Sequence, residues 1–351
     1  MISLLIVVIA LGIILEIISL RRDPEKVEFD YAISERVTEP GAAFNIQAAI
    51  TNKSRVPISY LAIKEILPFM AKLPDGMSYQ EKKDGYHTEN VCRLKGRQRK
   101  RLIMETSIEK RGVHTFKGNS IEFGDFLGFR EFTMHVMNHQ EIVVYPGRVD
   151  NPDLTEALAS FHGDIAAKRF LIRDPILSAG CREYTGREPM KDIHWLQSAR
   201  RAELIVREYE YNRQLSVSVI LGVEDGGGHT DDGWLDDCCA IARTVCENLL
   251  EKGVPVNFFT NAILRRISKK QIWKCEVSAG YTGELLEGLG RISTFTGTSL
   301  DRLLEFAHRE NDSDAAFIII LPAANKSGDG IADRIRRATG REVLLLQGVG
   351  S

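Results

Sequence analysis

The chain has 351 residues, 44% of them hydrophobic and 27% charged, so it is long enough to build more than one core. Its 46 basic and 48 acidic residues leave a formal charge of −2. That balance supplies no field to draw a nucleic-acid backbone, which excludes a dedicated nucleic-acid binder.

Residues 2–20, ISLLIVVIALGIILEIISL, carry one ionisable group, Glu16, in an otherwise apolar run. As an α-helix the run extends roughly 30 Å, about the thickness of a hydrocarbon core. No Lys or Arg precedes it and no A-x-A-like site follows it, unlike a signal peptide. The expectation is a single transmembrane helix over 1–20, embedded in the lipid bilayer, with Glu16 near its end. Arg21 and Arg22 flank the C-terminal edge and, by the positive-inside tendency, place the following domains in the cytoplasm. An extracytoplasmic envelope protein of opposite orientation is the rival.

From Val27 to Pro146 the pattern has period two. Phe29, Tyr31 and Ile33 alternate with polar residues, as do Phe44, Ile46, Ala48 and Ile50. Pro40-Gly41 and Asn52-Lys53-Ser54 mark turns, and 57–66, 99–108, 113–123 and 141–145 are further strand candidates. These predict an Ig-like β-sandwich over 27–146, with 71–90 as an exposed excursion. His135 and His139 fall between strand-like runs and read as loop histidines. Residues 147–213 form a joining segment. Beyond Gln214 the pattern is β/α: strands at 216–223, 255–260, 315–322 and 342–347, and helices at 233–252, 282–292, 299–309 and 329–338. That alternation predicts an α/β domain over 214–351 with a mainly parallel sheet. Trp234 and Trp273 read as core or groove residues. The six cysteines form no CxxC pair and read as buried free thiols, which fits a reducing compartment.

Three stretches carry a resemblance: RGVHTFKGNSIEFGDFLGF (111–129), EIVVYP (141–146) and REYTGREPMKDIHWLQSARRAELIVREYE (182–210). In that order they resemble the bacterial family called domain of unknown function 58 (DUF 58). Its pattern runs Arg-Glu-Tyr, a turn with Gly-Asp, Ile-His/Asp-Trp and Ser-Ala-Arg. Arg182, Glu183, Tyr184, Ile193, His194, Trp195, Ser198, Ala199 and Arg200 match it. The chain departs at Gly186-Arg187-Glu188, where Gly-Asp is usual, and at Asp125-Phe126, where the family has Asp-Pro-Phe. The resemblance implies a von Willebrand A-like C-terminal domain. It also implies a non-catalytic accessory protein that works with a MoxR-type AAA+ ATPase, or its client, in assembling or maturing other proteins.

Metal-binding von Willebrand A domains use Asp-x-Ser-x-Ser after the first strand, presenting hard oxygens to Mg²⁺. Here Gly222, Glu224 and Gly226 occupy those places. Glu224, Asp225, Asp231 and Asp232 form an acidic loop that reads as solvated, with Glu224, Asp225 and Asp231 as weak metal candidates. Gly226-Gly227-Gly228 and Ser327-Gly328-Asp329-Gly330 lack phosphate-loop spacing, so no cofactor is expected. The densest cluster is Arg182, Glu183, Tyr184, Asp192, His194, Trp195 and Arg200. Its charged and aromatic mixture suits either a polar network, with Arg182 and Arg200 pairing to Glu183 or Asp192 and locking the two domains, or a partner-facing hot spot. A hydrolase using His194 with Asp192 or Glu188 is the rival reading, although no nucleophile stands beside His194 in a recognisable motif.

Overall fold

The computed structural model describes residues 2–20, 23–125, 130–136, 140–169, 178–186, 189–209, 216–223, 232–265, 271–278, 280, 282–310, 316–323 and 328–348. The chain divides into two compact units, Met1–Gly147 with Leu286–Arg291, and Arg148–Leu285 with Ile292–Ser351.

The first unit begins with helix α1 (Ile2–Leu20). The expected membrane span is corrected here: among the described residues, no helix is long and apolar enough to cross a membrane. Glu16 interrupts the run and its side chain is buried. A carboxylate is costly in a hydrocarbon core.

Ten strands follow: β1 (Val27–Ile33), β2 (Val37–Thr38), β3 (Ala43–Asn52), β4 (Ile58–Leu67), β5 (Tyr79–Lys82), β6 (Gly85–Leu94), β7 (Arg99–Ser107), β8 (Gly112–Gly124), β9 (Glu131–Val136) and β10 (Gln140–Val144). One sheet has the order β1-β3-β7; the other runs β2-β10-β8-β4-β6-β5, with β9 on β8. All these pairs are antiparallel except β10 with β2. The two sheets pack face to face. Phe44, Ile46 and Ala48 of β3 meet Leu67 of β4, Phe116 of β8 and Val144 of β10, and Val27 and Ile50 meet Leu61, Ile63, Leu94 and Phe123. Such inward alternation is what period-two sequences bury. The 71–90 segment is no bare excursion, because β5 and most of β6 lie in it. A strand is possible there because Gly85, at φ 143°, takes a backbone conformation that L side chains rarely adopt; a Cβ would sit 2.3 Å from the Leu67 carbonyl oxygen.

One inward strand position carries a carboxyl group. Glu65 shares a strand face with Leu61, Ile63 and Leu67, and it is 4% exposed. No hydrogen bond or ion pair reaches its carboxyl among the described residues. Burial alone pushes its pKa from 4.5 up to about 7. The Tyr31 phenol is raised as well, by burial first and then by the charge of Glu65.

The second unit contains α2 (Pro152–Arg169), β11 (Ser178–Glu183), α3 (Trp195–Arg201), β12 (Ile205–Tyr209), β13 (Val217–Leu221), α4 (Asp232–Glu251), β14 (Val256–Thr260), β15 (Ala262–Leu264), β16 (Trp273–Val277), part of α5 (Gly283–Arg291), β17 (Ile292–Thr296), α6 (Leu300–Glu310), β18 (Ala316–Pro322), α7 (Gly328–Thr339) and β19 (Val343–Gly348). Its central sheet has the order β16-β14-β13-β18-β19. Ile220, Phe317, Ile319 and Leu321 share a core with Leu300, Leu303 and Leu304 of α6 and Ile331 of α7. Val219, Leu221, Ile318 and Ile320 have the opposite parity and are equally buried, and α4 packs on β13, β18 and β19. Within α4, Arg243 is 1% exposed and its Nε donates to Glu247 at 3.0 Å; Arg148 Nε donates to the same carboxylate at 2.7 Å. Burial opposes ionisation of Glu247, and the hydrogen bonds from the two arginines override it, holding the carboxyl below its ordinary value. All six cysteines are free thiols, and only Cys181 is not buried.

The expected architecture, in which a transmembrane anchor, a sandwich and a von Willebrand A-like α/β domain follow one another, therefore does not stand as a whole. The described residues form five sheets and no spanning helix, and every one of the five contains antiparallel pairing. In the central sheet the antiparallel member is the edge strand β16 on β14.

Glu65 gives the first unit a pH-dependent stability. Its folded pKa lies above its unfolded value, so the folded state holds the extra proton between about 4.5 and 7. Stability is therefore lost as pH rises through that window, by roughly 3 kcal/mol at full ionisation. Urea unfolding at pH 5 and pH 8 is expected to show this loss in the native chain and not in Glu65→Gln. Equal pH slopes for the two proteins would contradict it.

Candidate protein-docking site

The segment with the densest motif folds as a small frame. β11 and β12 pair antiparallel, setting Arg182 opposite Val206 and Glu183 opposite Ile205. Between them a 3-10 turn over Met190–Asp192 leads through Ile193, which bridges to Val206, into α3. His194 is the N-cap: its Nδ1 accepts from the Gln197 N–H at 3.3 Å, and its own N–H donates to the Ile205 carbonyl at 2.8 Å. Ala202 ends the helix in the left-handed region at φ 56°.

Ser198 closes the frame. Its buried hydroxyl donates to the His194 carbonyl at 3.1 Å and accepts from the Ile205 N–H at 2.9 Å. One side chain thus satisfies backbone groups on both sides of the helix. The Tyr184 N–H donates to the Leu204 carbonyl at 2.8 Å, tying β11 to the turn before β12.

The sequence-predicted residues separate into two groups. Ile193 and Ser198 are buried and hold the frame, and His194 caps it. Arg182, Glu183, Ala199 and Arg200 are exposed and Tyr184 is half-buried. The expected pairing of arginines with Glu183 is not what the described contacts show. Arg182 Nη1 reaches the Glu183 backbone carbonyl at 3.4 Å, and Arg200 makes no ion pair among the described residues. The Asp192 side chain and Glu188 lie outside the described residues.

Sequence reasoning missed the other exposed apolar side chains of this segment. Trp195 is 57% exposed, Leu196 62%, Met190 68% and Leu204 46%, all within this one frame. The available signal covers Leu196 alone: with Ser198 facing inward, Leu196, two residues before it, falls on the opposite side of α3, whereas Trp195, three residues before it, shares the Ser198 face by spacing and is exposed at the helix start.

At the carboxyl end of β13, Glu224, Asp225 and Asp231 lie outside the described residues, as does the side chain of Asp232. Among the described residues no group of three His, Cys, Asp or Glu is placed to hold a metal ion. A Cβ added at Gly222 would lie 2.7 Å from Leu321 and 2.8 Å from Leu300, so apolar packing fills the space where a ligand Asp was looked for. Asn261, buried and not singled out from sequence, accepts from the Val223 N–H at 3.1 Å and donates to the Thr298 carbonyl at 3.0 Å, fastening this strand end. His135 is exposed on β9, and His139 lies outside the described residues.

No family model matches the chain, and no curated protein matches it. Solved structures with local likeness include a cohesin module from a Clostridium perfringens family 33 glycoside hydrolase (12% identity, TM-score 0.26, covering 34% of this chain and 96% of that one). A non-cellulosomal cohesin from Archaeoglobus fulgidus (12%, 0.22, 34% and 86%) and an ASH/PapD-like domain of human CEP192 (10%, 0.22, 35% and 87%) are similar to the same extent.

Replacing Ser198 with Ala leaves the buried Ile205 N–H without its acceptor, at a cost of about 1–3 kcal/mol. Hydrogen exchange is expected to accelerate at the Ile205 amide and across 194–205, while β13 and β18 stay protected. Unchanged exchange at Ile205 would show that the hydroxyl does not hold the frame.

Proposed function

We propose that this chain is a non-catalytic binding or scaffold protein whose docking face is the outer surface of α3 and the turns beside it. The observation that supports the reading is the exposure of Trp195, Leu196, Met190 and Leu204 on a frame held by the Ser198 hydroxyl. Large apolar and aromatic side chains left in water without a structural need are a liability unless a partner covers them. Presented on fixed backbone, they lose little conformational freedom on binding, which is how aromatic anchors come to dominate an interface. Arg182, Arg200 and Glu183 supply a charged rim of the kind that sets orientation and partner choice.

His194 supports the same reading. One ring nitrogen is committed to capping α3, a structural duty that ties the imidazole to the helix rather than to a substrate. The partner class comes from the resemblance of 182–210: a MoxR-type AAA+ ATPase, or the protein it acts on.

The tagged full chain, recovered from cells that make it naturally, is expected to retain such an ATPase or client. The double variant Trp195→Ala/Leu196→Ala is expected to lose at least tenfold in recovery, since buried anchors of this type contribute about 2 kcal/mol or more to an interface. Its thermal unfolding stays that of the native chain, because both side chains are largely in water. Equal recovery with both proteins, or no protein retained by either, would contradict the assignment.

A further inference from the structure

The first unit holds a cavity of about 430 Å³ between its two sheets, within the size range of small-molecule sites. Its walls are Ile46 and Ala48 of β3, Ile63 of β4, and Leu102 and Met104 of β7, and a loop at 74–77 crosses it. The floor is the Glu65 carboxyl, nine-tenths buried and without a protein partner among the described residues. The remaining charged lining groups are Asp75 and Glu105, both acidic and both exposed at the rim. Opposite Glu65 on β6 stands Thr88, whose buried Oγ1 has no hydrogen-bond partner among the described residues.

We propose that this cavity binds a small organic cation, a primary ammonium or guanidinium on a short aliphatic stem, with Glu65 as its counter-ion and the Ile46, Ala48 and Leu102 side chains around the stem. The chemistry selects that class. An anion would meet three carboxyl groups and no cation. For a metal ion, no group of three His, Cys, Asp or Glu among the described residues is placed to hold one. A neutral apolar guest would seal Glu65 away from water with nothing to bond it, which is costly. A cation on an apolar stem answers both halves of the lining at once, and it removes the destabilisation that the buried carboxyl imposes on the empty fold. The site lies in the first unit and is independent of the α3 face.

Titration calorimetry on the full chain at pH 8 tests this with n-butylammonium, n-butylguanidinium and the capped tripeptide Gly-Lys-Gly. Saturable binding of a butyl cation is expected, with the neutral butan-1-ol at least tenfold weaker. Tighter binding of the peptide than of butylammonium would identify the source as a polypeptide side chain; the reverse order would identify a free amine. Glu65→Gln is expected to weaken the cation at least thirtyfold. Ala48→Leu, which fills the cavity and keeps the carboxyl, should abolish binding and decides the matter if the first variant does not fold. Between pH 6 and pH 8 affinity should rise as Glu65 loses its proton, in surroundings that also include Tyr31 of β1, Asp75 of the loop and Glu105 of β7. No saturable binding of any cation, equal affinity for butan-1-ol, or unaltered binding in Ala48→Leu would overturn the proposal.

Discussion

The hydroxyl of Ser198 is the point on which the candidate site depends. A two-stranded ribbon is marginal by itself, and a seven-residue helix is too short to persist in water unaided. Bonding one buried oxygen to His194 on one side and Ile205 on the other converts the two into a single frame. The antiparallel β-bridge from Ile193 to Val206 pairs the backbones at the same place. With that frame held, the aromatic and aliphatic side chains at the start of α3 have a fixed direction, and their direction is outward. The proposed docking face thus depends on where the buried polar bond sits, not on any local preference of Trp195 for water.

Much of this organisation was legible in the residues. Six strands of the sandwich and the strand–helix alternation beyond 214 follow directly from apolar spacing, because packing there is one-sided or fully buried. The matched residues of 182–200 do come together in one frame, yet their roles split: the small and β-branched members hold it, and the exposed members surround it. Composition alone could not separate these roles, since a charged and aromatic cluster looks the same whether it faces in or out. Two signals were present and passed over. Leu154, Leu158, Phe161 and Ile165 repeat at helical spacing in α2, and Trp273, Cys275 and Val277 alternate in β16. The strand β16 is the one that turns the central sheet mixed.

Glu65 and Glu16 show opposite faces of one rule about carboxylates among apolar residues. Glu65 sits at an inward position of a strand whose other inward residues are aliphatic, so its burial was readable from alternation alone. What alternation does not contain is the cavity above it, which arises from the loop at 74–77 and from β7 across the sandwich. Glu16 falls in a run whose apolar character suggested a bilayer, and it is the one ionisable group of that helix, with its side chain buried. A charged group in an apolar setting marks either a compensating partner or a function, and the two positions deserve different experiments.

The central claim is that α3 carries a protein-binding face, and the most direct measurement is site-specific photo-crosslinking in intact cells. A photoreactive phenylalanine analogue at position 196 is predicted to capture one dominant protein adduct. The same analogue at Tyr79, also exposed and on the first unit, is predicted to capture none of that protein. The absence of any adduct at 196, or the same adducts at both positions, would contradict the account.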